Sequence, residues 1–346
     1  MSYIKRWNIK EVARAAGVST QTISRVINNR PDVSHETRIN VQEIIHKLGY
    51  QPSALARSLI RRRSDTLGVV TAGLRFNGPS RTLSGITSRA DELGYALLLK
   101  EMPRFDIDHI EPLLQTLIAR PVDGIIWAVP EVGGNRTWLQ QGLASINIPI
   151  VFLNMESRPG LSIVNYDNFQ GAWQATEHLL QQGYRHIGHI TGPLDWWESR
   201  QRRAGWQQAL ATAGIEVQDT HVVEGDWSAA SVRDALPRLQ RQYPEMDAVF
   251  ASNDQMALGV INLAVEQGLT IPTALGVTGF DGLVETAHYS PGLTTIFQDQ
   301  YLLGCTAVDQ VAQAIEHLQN EGAPYTPQTV VLQPELVVRK SSLRHM

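Results

Sequence analysis

Cysteine is almost absent from this sequence. The chain has 346 residues and a single cysteine, Cys305, which excludes an intrachain disulfide and a zinc site built on paired thiolates. Cys305 lies in the apolar helical pattern LLGCTAVDQV, so we expect a packed thiol and not a nucleophile. The sequence also has no cluster of His, Asp and Glu with the spacing of metal ligands, which predicts that no metal is bound.

Long apolar runs are missing as well. No stretch approaches the roughly 20 apolar residues of a membrane-spanning helix. The polar start from Tyr3 to Arg6 lacks the apolar core of a secretion signal. These absences predict a soluble, cytoplasmic protein that has no membrane partner.

The motifs of common enzymes are not found either. There is no nucleotide-binding glycine loop and no Gly-x-Ser-x-Gly turn, so we expect no cofactor and no catalytic residue. The letters HIGH at His186–His189 match a signature of nucleotidyl transferases. That signature needs its histidines at the start of a helix, whereas these residues open an apolar strand. A pair of histidines at a strand edge is therefore the better interpretation.

Positive charge is scarce outside the first 63 residues. That segment has 12 Lys and Arg against 4 Asp and Glu, whereas the remainder has 18 against 30. A small basic head on an acidic body indicates that only the head contacts a polyanion. With 43% hydrophobic residues, a chain of this length is also expected to bury a large core and to form two or more domains.

The basic head has the pattern of three short helices. Asn8 and Ser19 are typical helix caps, and Gly17 supplies the positive φ that ends a first helix. A third helix runs from a cap at Ser34 to Gly49. Two short helices joined by Gly-Val-Ser, the second of them rich in polar residues, predict a DNA-binding helix-turn-helix. A three-helix bundle without a partner is the alternative.

The stretch QPSALARSLIRRR follows the head. Pro52 suits the first turn of a helix, and a small apolar face is formed by Ala54, Leu55, Ala56 and Leu59. Because so short a helix is not stable alone in water, we expect a hinge that becomes helical only when a partner stabilises it.

From Asp65 onward, short apolar strands such as TLGVVT, DGIIWAV, IPIVFLN and HIGHIT alternate with amphipathic helices. This alternation predicts parallel α/β sheets, and two such sets fit two doubly wound subdomains. In sheets of this kind, ligands bind in the crevice at the carboxyl ends of the strands.

The motifs of both parts resemble those of the lac/galactose repressor family. IKEVARAAGVSTQTISRVIN and VSHETRINVQEIIHKLGYQPSALARSL are similar to its DNA-binding head and hinge, and SRQRRAGW, EGDWSA, ASNDQMALG, GFDG and SPGLTTIFQD extend the likeness through the body. The resemblance implies a three-helix head, a hinge helix and two doubly wound parallel α/β subdomains of periplasmic-binding-protein type. It places the head at 1–50, the hinge at 51–64, the N-terminal subdomain at 65–163 with 294–326, and the C-terminal subdomain at 164–293 with 327–340. The chain would then cross between subdomains near Val164, Leu293 and Thr326.

The resemblance also implies which residues contact DNA. Thr20 and Gln21 would read base edges in the major groove, with Arg25 at the same surface. Leu59 would be the wedge that the hinge inserts into the minor groove. The other expected contacts, to the DNA backbone or through helix caps and the hinge face, are Ser19, Thr22, Asn28, Ser34, Leu55 and Ala56.

Polar and aromatic residues lie at the predicted strand ends of the body. Planar polar groups clamp adjacent sugar hydroxyls through paired hydrogen bonds, and a tryptophan face stacks on the C–H groups of a sugar. By resemblance to the family's effector crevice and by their place at strand ends, the expected effector contacts are Phe76, Trp127, Asn154, Trp197, Arg202, Trp227, Asn253, Asp281 and Gln298. Helix capping by Asn253, a turn at Asp281 and packing of Trp227 are the alternatives.

The segment Gly192–Trp206, GPLDWWESRQRRAGW, combines three tryptophans with three arginines. Its basic and aromatic composition would suit nucleic acid, but it belongs to the acidic body. We therefore expect Arg202 to face the crevice, and Arg200 and Arg203 to be solvated or paired with acids. Trp196 and its neighbour either narrow the pocket, extend it toward a second sugar ring, or pack outside it.

The resulting prediction is a DNA-binding transcriptional repressor, a homodimer on a pseudo-palindromic double-stranded operator. Its operator affinity would be controlled by a small carbohydrate such as a galactoside or glucoside. No leucine heptad follows ELVVRK, so we expect a dimer and not a tetramer. The alternatives are a cytoplasmic sugar-binding protein without a regulatory role, and a purine-type regulator whose ligand promotes DNA binding. The sugar and the sign of its effect stay open at this point.

Overall fold

The computed structural model of the chain describes residues 7–27, 29–50, 63–105, 111–133, 136, 146–320 and 325–344. Contacts divide the chain into two compact units, a head at Met1–Asp65 and a body at Thr66–Met346. The predicted hinge contacts at Leu55, Ala56 and Leu59, and the predicted DNA contact at Asn28, lie outside the described residues.

The head is built from three helices, which are α1 (Ile9–Ala16), α2 (Thr20–Ile27) and α3 (His35–Leu48). Asn8 caps α1 together with Glu11, and Gly17 ends it with a φ of 66°. The hydroxyls of Ser19 and Ser34 accept backbone N–H bonds from the first turns of α2 and α3. These caps are the ones that the sequence predicts, and they satisfy N–H groups that a helix end otherwise leaves unpaired.

Apolar stripes of the three helices form the core of the head. Val12, Ile23 and Val41, one from each helix, have no exposed surface. The small side chains of Ala13 and Ala16 fill the space between them. Burial of this stripe fixes the rotation of α2, so that its polar side faces solvent.

The first lobe of the body is a six-stranded, wholly parallel sheet. Its strands are β1 (Thr66–Ala72), β2 (Ala96–Met102), β3 (Gly124–Ala128), β4 (Ile150–Leu153), β5 (Ser162–Tyr166) and β11 (Thr329–Leu332), in the spatial order β11-β5-β4-β3-β1-β2. The helices assigned to this lobe are α4 (Asn77–Glu92), α5 (Glu111–Ile118) and, late in the chain, α10 (Gln300–Asn320). Apolar side chains cover both faces of the sheet, as in doubly wound folds.

The second lobe repeats this plan with one change. Its strands are β6 (Ile187–Thr191), β7 (Val222–Glu224), β8 (Ala248–Ala251), β9 (Gly276–Asp281), β10 (Thr294–Phe297) and β12 (Glu335–Val337), in the order β12-β10-β9-β8-β6-β7. The edge strand β12 runs antiparallel to β10. The α-helices of this lobe are α6 (Asn168–Gln181), α7 (Trp197–Thr212), α8 (Val232–Gln242) and α9 (Asp254–Glu266). The predicted fold class, two parallel α/β subdomains after a helical head, is confirmed.

The crossings between the lobes lie later in the chain than expected. β5 belongs to the first sheet up to Tyr166, β10 to the second up to Phe297, and β11 to the first up to Leu332. The crossings therefore follow these residues and are not at Val164, Leu293 and Thr326. Val164 lies within β5, Leu293 directly before β10 and Thr326 shortly before β11. The composition of a strand does not change at the point where the chain leaves the sheet, so the sequence pattern does not mark the crossing.

The HIGH letters lie at β6, as predicted, and not at the start of a helix. β6 pairs with β7 on one side and β8 on the other, so His189 is interior to the sheet and not at its edge. The imidazole of His189 is fully buried, lies flat against Phe250 at 4.7 Å and contacts the Phe250 carbonyl at 2.9 Å. Burial lowers the pKa of His189 to about 3, so this histidine is a neutral core residue.

Candidate functional site

Arg202 lies at the centre of a polar cluster in the second lobe. It projects from α7, and its side chain is 7% exposed. The guanidinium donates from Nε to Asn168 Oδ1 at 2.8 Å, and from Nη1 to the Ser252 carbonyl at 2.5 Å and to Asp281 Oδ1 at 3.2 Å. Nη2 donates to Gln298 Oε1 at 3.4 Å. The predicted inward position of Arg202 places a fixed, planar fork of donors at this point.

The topology of the sheet brings the partners of Arg202 together. Asp281 ends β9, Ser252 follows β8 and Gln298 follows β10. Carboxyl ends of neighbouring parallel strands share one edge of a sheet, which is where doubly wound folds bind ligands. We call Arg202, Asn253, Asp281 and Gln298 the polar clamp, because three of them are hydrogen-bonded and the fourth lies beside them at the end of β8.

Asn253 both caps a helix and holds a loop. Its Oδ1 accepts the Met256 N–H at 2.9 Å at the start of α9, and its Nδ2 donates to the Trp227 carbonyl at 2.9 Å. The capping alternative is therefore correct for the side-chain oxygen. The amide nitrogen of Asn253 additionally fixes the Trp227 loop beside the clamp.

Trp227 is held in an unusual backbone conformation. Its φ is 73°, a region that side chains other than glycine rarely adopt. A β-carbon at Gly192, after β6, would overlap the indole ring, so this glycine lets the ring lie against the backbone. The Arg202 guanidinium carbon lies 5.6 Å from the ring centre. Within the described chain, the buried Nε1 of Trp227 has no hydrogen-bond acceptor.

A row of four aromatic rings spans the two lobes. Trp227 contacts Trp196 at 5.7 Å between ring centres, Trp196 contacts Phe105 at 4.9 Å, and Phe105 contacts Phe76 at 6.0 Å. The first two are edge-to-face contacts, which aromatic quadrupoles favour. We call these four residues the aromatic bridge. The sequence left the position of Trp196 open, and the structure places it between the lobes.

The predicted contacts in the first lobe and at Trp197 occupy different kinds of position. Phe76 precedes α4 and belongs to the aromatic bridge, and Asn154 follows β4 with a φ of 52°. Trp127 is 1% exposed and packs in the core of the first lobe. We therefore correct its assignment from effector contact to core residue. Trp197 starts α7 half-buried, and no ring contact joins it to the other described aromatic residues.

Burial shifts the ionisation of the clamp. It lowers the pKa of Arg202, although Asp281 and Glu198 oppose the shift. It raises the pKa of Asp281, although the Arg202 guanidinium opposes that shift. Behind the clamp, burial and then the charge of Asp281 raise the pKa of Asp254 to about 7. The carboxyl of Asp254 accepts from the Thr295 hydroxyl at 2.5 Å and the Leu283 N–H at 2.6 Å.

Glu198 is a site residue that the sequence interpretation missed. It lies one helical turn before Arg202 on α7, so the four-residue spacing could have found it. Burial raises the pKa of Glu198 to about 7, against the lowering effects of its own backbone N–H and of Arg202 and Arg200. Its Oε2 is buried, and none of the described residues hydrogen-bonds to it.

The raised pKa of the Glu198 carboxyl makes the free energy of unfolding depend on pH. Because the folded pKa of Glu198 lies above the ordinary 4.5, the folded state keeps a proton that the unfolded chain loses between about pH 4.5 and 7. Its contribution to stability is complete below about pH 4.5 and is lost as pH rises through about 7. At about 1.4 kcal/mol per pKa unit, the loss is on the order of 3 kcal/mol.

Urea unfolding of the full chain at pH 5 and pH 7.5 measures this loss, followed by tryptophan fluorescence. Glu198→Gln is expected to reduce the pH slope of the unfolding free energy without removing it, because Asp254 contributes in the same direction. An unchanged slope in the variant would contradict the assignment. Glu224→Gln on the exposed end of β7 is the matched control.

The lobes also contact each other through Asp195. Its carboxylate accepts the Gly133 N–H at 3.2 Å and the Arg136 guanidinium at 2.9 Å, both from the first lobe. Burial would raise the pKa of Asp195, but the Gly133 and Arg136 hydrogen bonds outweigh it and hold the pKa below its ordinary value. Beside this contact a cavity of about 690 Å³ opens, lined by residues of both lobes.

The predicted DNA contacts of the head that the structure describes lie in and just before α2 and at the start of α3. Thr20, Gln21 and Arg25 are exposed on α2, and Arg25 pairs with Asp32 at 3.4 Å. Ser19 and Ser34 are exposed, and their hydroxyls act as helix caps. Thr22 is half-buried, and its hydroxyl contacts that of Ser19 at 2.9 Å. The side chains of Thr20 and Gln21 in the N-terminal turn of α2 are therefore open to solvent.

The described residues of the structure contain neither a group of metal ligands nor a membrane-spanning helix. Among them, no three His, Cys, Asp or Glu side chains are grouped so as to hold a metal ion. Within the same ranges, no helix is long and apolar enough to cross a membrane.

Family models match both parts of the chain. Residues 8–53 match the model of bacterial regulatory proteins of the lacI family. Residues 76–330 match the model of periplasmic binding proteins and the sugar-binding domain of the LacI family. The two matches follow the order of head and body.

Individual relatives agree with the family models. The chain is 32% identical to the lactose operon repressor of Escherichia coli strain K12, over 95% of this chain and 90% of that protein. It is also 32% identical to the HTH-type transcriptional repressor PurR of Actinobacillus pleuropneumoniae, over 96% and 97% of the two chains. These relatives are transcriptional repressors and not enzymes.

Solved structures extend the likeness to the whole fold. The lac repressor dimer bound to operator and the anti-inducer ONPF matches 98% of this chain and 100% of its own, with a TM-score of 0.87 and 32% identity. A complex of the transcriptional regulator CelR with cellobiose matches 97% and 100%, with a TM-score of 0.72 and 30% identity.

Proposed function

The chain belongs to the lacI family of bacterial regulatory proteins, and from that premise we propose that a small carbohydrate in the crevice of the body controls its affinity for operator DNA. The family makes it a DNA-binding transcriptional repressor with a body of sugar-binding type. The carbohydrate, its place at the polar clamp and the homodimeric assembly are the parts that we propose. We also propose that it acts in the cytoplasm.

The observation that carries the carbohydrate is the combination of the polar clamp with the Trp227 ring. Arg202 and Asp281 form a charged, hydrogen-bonded pair that can donate to one sugar hydroxyl and accept from the next. The indole of Trp227 lies within 5.6 Å of the same guanidinium and offers a flat apolar face to sugar C–H groups. Polar groups that fix orientation, set beside an aromatic wall, are what a sugar site requires.

The same geometry supports a response in which ligand binding changes the arrangement of the lobes and this change alters DNA binding. A ligand held by the clamp favours whichever arrangement of the lobes binds it more tightly, and the populations shift accordingly. In a homodimer, two heads would read the half-sites of a pseudo-palindromic operator, and the hinge segments would enter the minor groove between them. Thr20, Gln21 and Arg25 are the proposed major-groove contacts.

A purine-binding regulator is the second candidate. Its support is the 32% identity to PurR, equal to the identity to the lactose operon repressor. The indole of Trp227, whose Nε1 has no hydrogen-bond acceptor among the described residues, could also stack on a nucleobase and donate to it. In that case ligand would strengthen DNA binding, as a co-repressor does.

An electrophoretic shift experiment separates the candidates. Purified full chain is incubated with a duplex selected from a random pool for tight binding, in the presence of glucose, galactose, lactose, cellobiose, hypoxanthine or guanine. We expect sequence-specific binding that at least one sugar changes. Failure to select any specific duplex would contradict the operator contacts that we propose. A response to purines alone would favour the second candidate.

A further inference from the structure

The cavity beside the polar clamp is larger than one sugar ring needs. Its volume is about 690 Å³, in the middle of the range of roughly 300–1,000 Å³ found for pockets that enclose whole small molecules. Its lining includes Gly73, Phe76, Met102 and Phe105 of the first lobe, and Asp195 and Trp196 of the second. The clamp residues are not part of this lining, so the cavity is separate from the clamp.

Trp196 connects the clamp to this cavity. The Arg202 guanidinium lies 5.6 Å from the Trp227 ring, and Trp227 lies 5.7 Å from Trp196. Trp196 in turn lines the cavity and contacts Phe105 across the lobes. A ring bound at the clamp would therefore have the edge of Trp196 as its next neighbour on the cavity side.

The cavity walls combine aromatic faces with a charged rim. Both contacts of Trp196 are edge-to-face, with interplanar angles of 71° and 68°. Arg75 lies over Phe76 at 4.8 Å, and Glu101 and Asp195 add carboxylates at the rim. A pyranose with equatorial hydroxyls has two apolar C–H faces and a polar edge, so it is complementary to such walls.

We infer that the effector has two linked sugar rings, the first held by the polar clamp and the second by the cavity that Phe105 and Trp196 both line, with Trp196 selecting for the second ring. This inference rests on the carbohydrate effector proposed above. It makes Trp196, and not a residue of the clamp, the side chain that separates disaccharides from monosaccharides.

Isothermal titration calorimetry on the purified full chain tests this assignment. The probes are glucose, galactose, cellobiose and lactose. We expect at least one of the two disaccharides to bind at least tenfold more tightly than either monosaccharide. Trp196→Ala is expected to remove that tenfold advantage and to change monosaccharide affinity less than twofold.

Two further variants make the experiment specific. Trp196→Phe keeps an aromatic wall and is expected to restore part of the disaccharide affinity. Trp173→Ala removes a half-buried tryptophan from α6, where it lies in a groove with Glu177 and Arg185 outside the crevice, and is expected to leave all affinities unchanged. The side chain of Trp196 makes no capping hydrogen bond, so its truncation removes no cap from the start of α7.

The possible failures are distinguishable. Equal affinity for monosaccharides and disaccharides, or an equal loss of both in Trp196→Ala, overturns the second-ring assignment and leaves the carbohydrate-controlled repressor standing. Absence of binding for every sugar overturns both proposals. Binding of disaccharides that Trp196→Ala leaves intact overturns the role of Trp196.

Discussion

Replacing Arg202 by alanine is expected to lower effector affinity at least 100-fold and to leave operator affinity, measured without sugar, within twofold. The substitution removes every donor of the guanidinium fork, and hydrogen bonds to a charged group contribute about 1.5–3 kcal/mol each. One N–H of Nη2 is not used by the described residues and can donate to a sugar. Loss of this bond, together with the loss of the cation that orients Asp281 as an acceptor, accounts for a change of this size, since about 1.4 kcal/mol corresponds to a factor of ten. Titration calorimetry and the shift assay measure the two affinities.

The neighbouring arginine provides the matched control. Arg203 on the same helix pairs with the fully exposed Asp219 at 3.3 Å, so Arg203→Ala is expected to leave effector affinity unchanged. Arg202→Lys keeps a positive charge near Asp281 but loses the planar fork, so it should bind sugar little better than the alanine variant. Full effector binding by Arg202→Ala would show that the clamp is not the site.

Removing Arg202 also affects the fold. Asp281 would keep a partly buried carboxylate without its cation, and loss of one partner from a buried pair is strongly destabilising. A thermal unfolding curve is therefore needed beside each affinity. A folded variant that still binds operator DNA separates a loss of recognition from a loss of structure.

Gln21→Ala is expected to weaken binding to the selected operator about 100-fold and to leave non-specific DNA binding unchanged. Gln21 is exposed in the first turn of α2, where the resemblance places a base contact. A side chain that reads a base edge discriminates by about 1–3 kcal/mol, and a homodimer loses that contribution in both heads. Fluorescence anisotropy with the selected duplex and with a scrambled duplex measures the two affinities.

The salt dependence identifies the kind of contact. Because glutamine neutralises no phosphate, the slope of log affinity against log salt should not change in Gln21→Ala. Gln42→Ala, an exposed glutamine on α3, is the matched control and should bind as the unaltered protein does. An equal loss on both duplexes would place Gln21 outside base recognition.

The sequence predicted local structure in the head well because the signals there are local. Asn8, Gly17 and Ser34 act within one turn of their own helix, so their roles do not depend on distant parts of the chain. The alternation of strands and helices likewise predicted the two parallel sheets. The antiparallel edge strand β12 was not foreseen, because its direction depends on where the last crossing falls.

Contacts between distant segments were harder to predict. Arg202 was expected in the crevice, but the hydrogen bond to Asn168 and the one to the Ser252 carbonyl arise only when α6 and β8 are placed beside α7. Trp127 ends an apolar strand, and its size alone did not tell a core residue from a wall of the site. The contact of Phe105 with Trp196 joins two lobes, and neither local pattern indicates it.

Arg202 is hydrogen-bonded to residues that lie at two of the three crossings between the lobes. Asn168 comes two residues after the end of β5, and Gln298 follows the end of β10 directly. Their own side chains are in contact at 3.4 Å. We propose that an effector that displaces the guanidinium acts on two crossing segments directly, through one hydrogen bond to each. Under that proposal, the side chain that recognises the effector is one hydrogen bond away from two of the segments on which the lobes would turn.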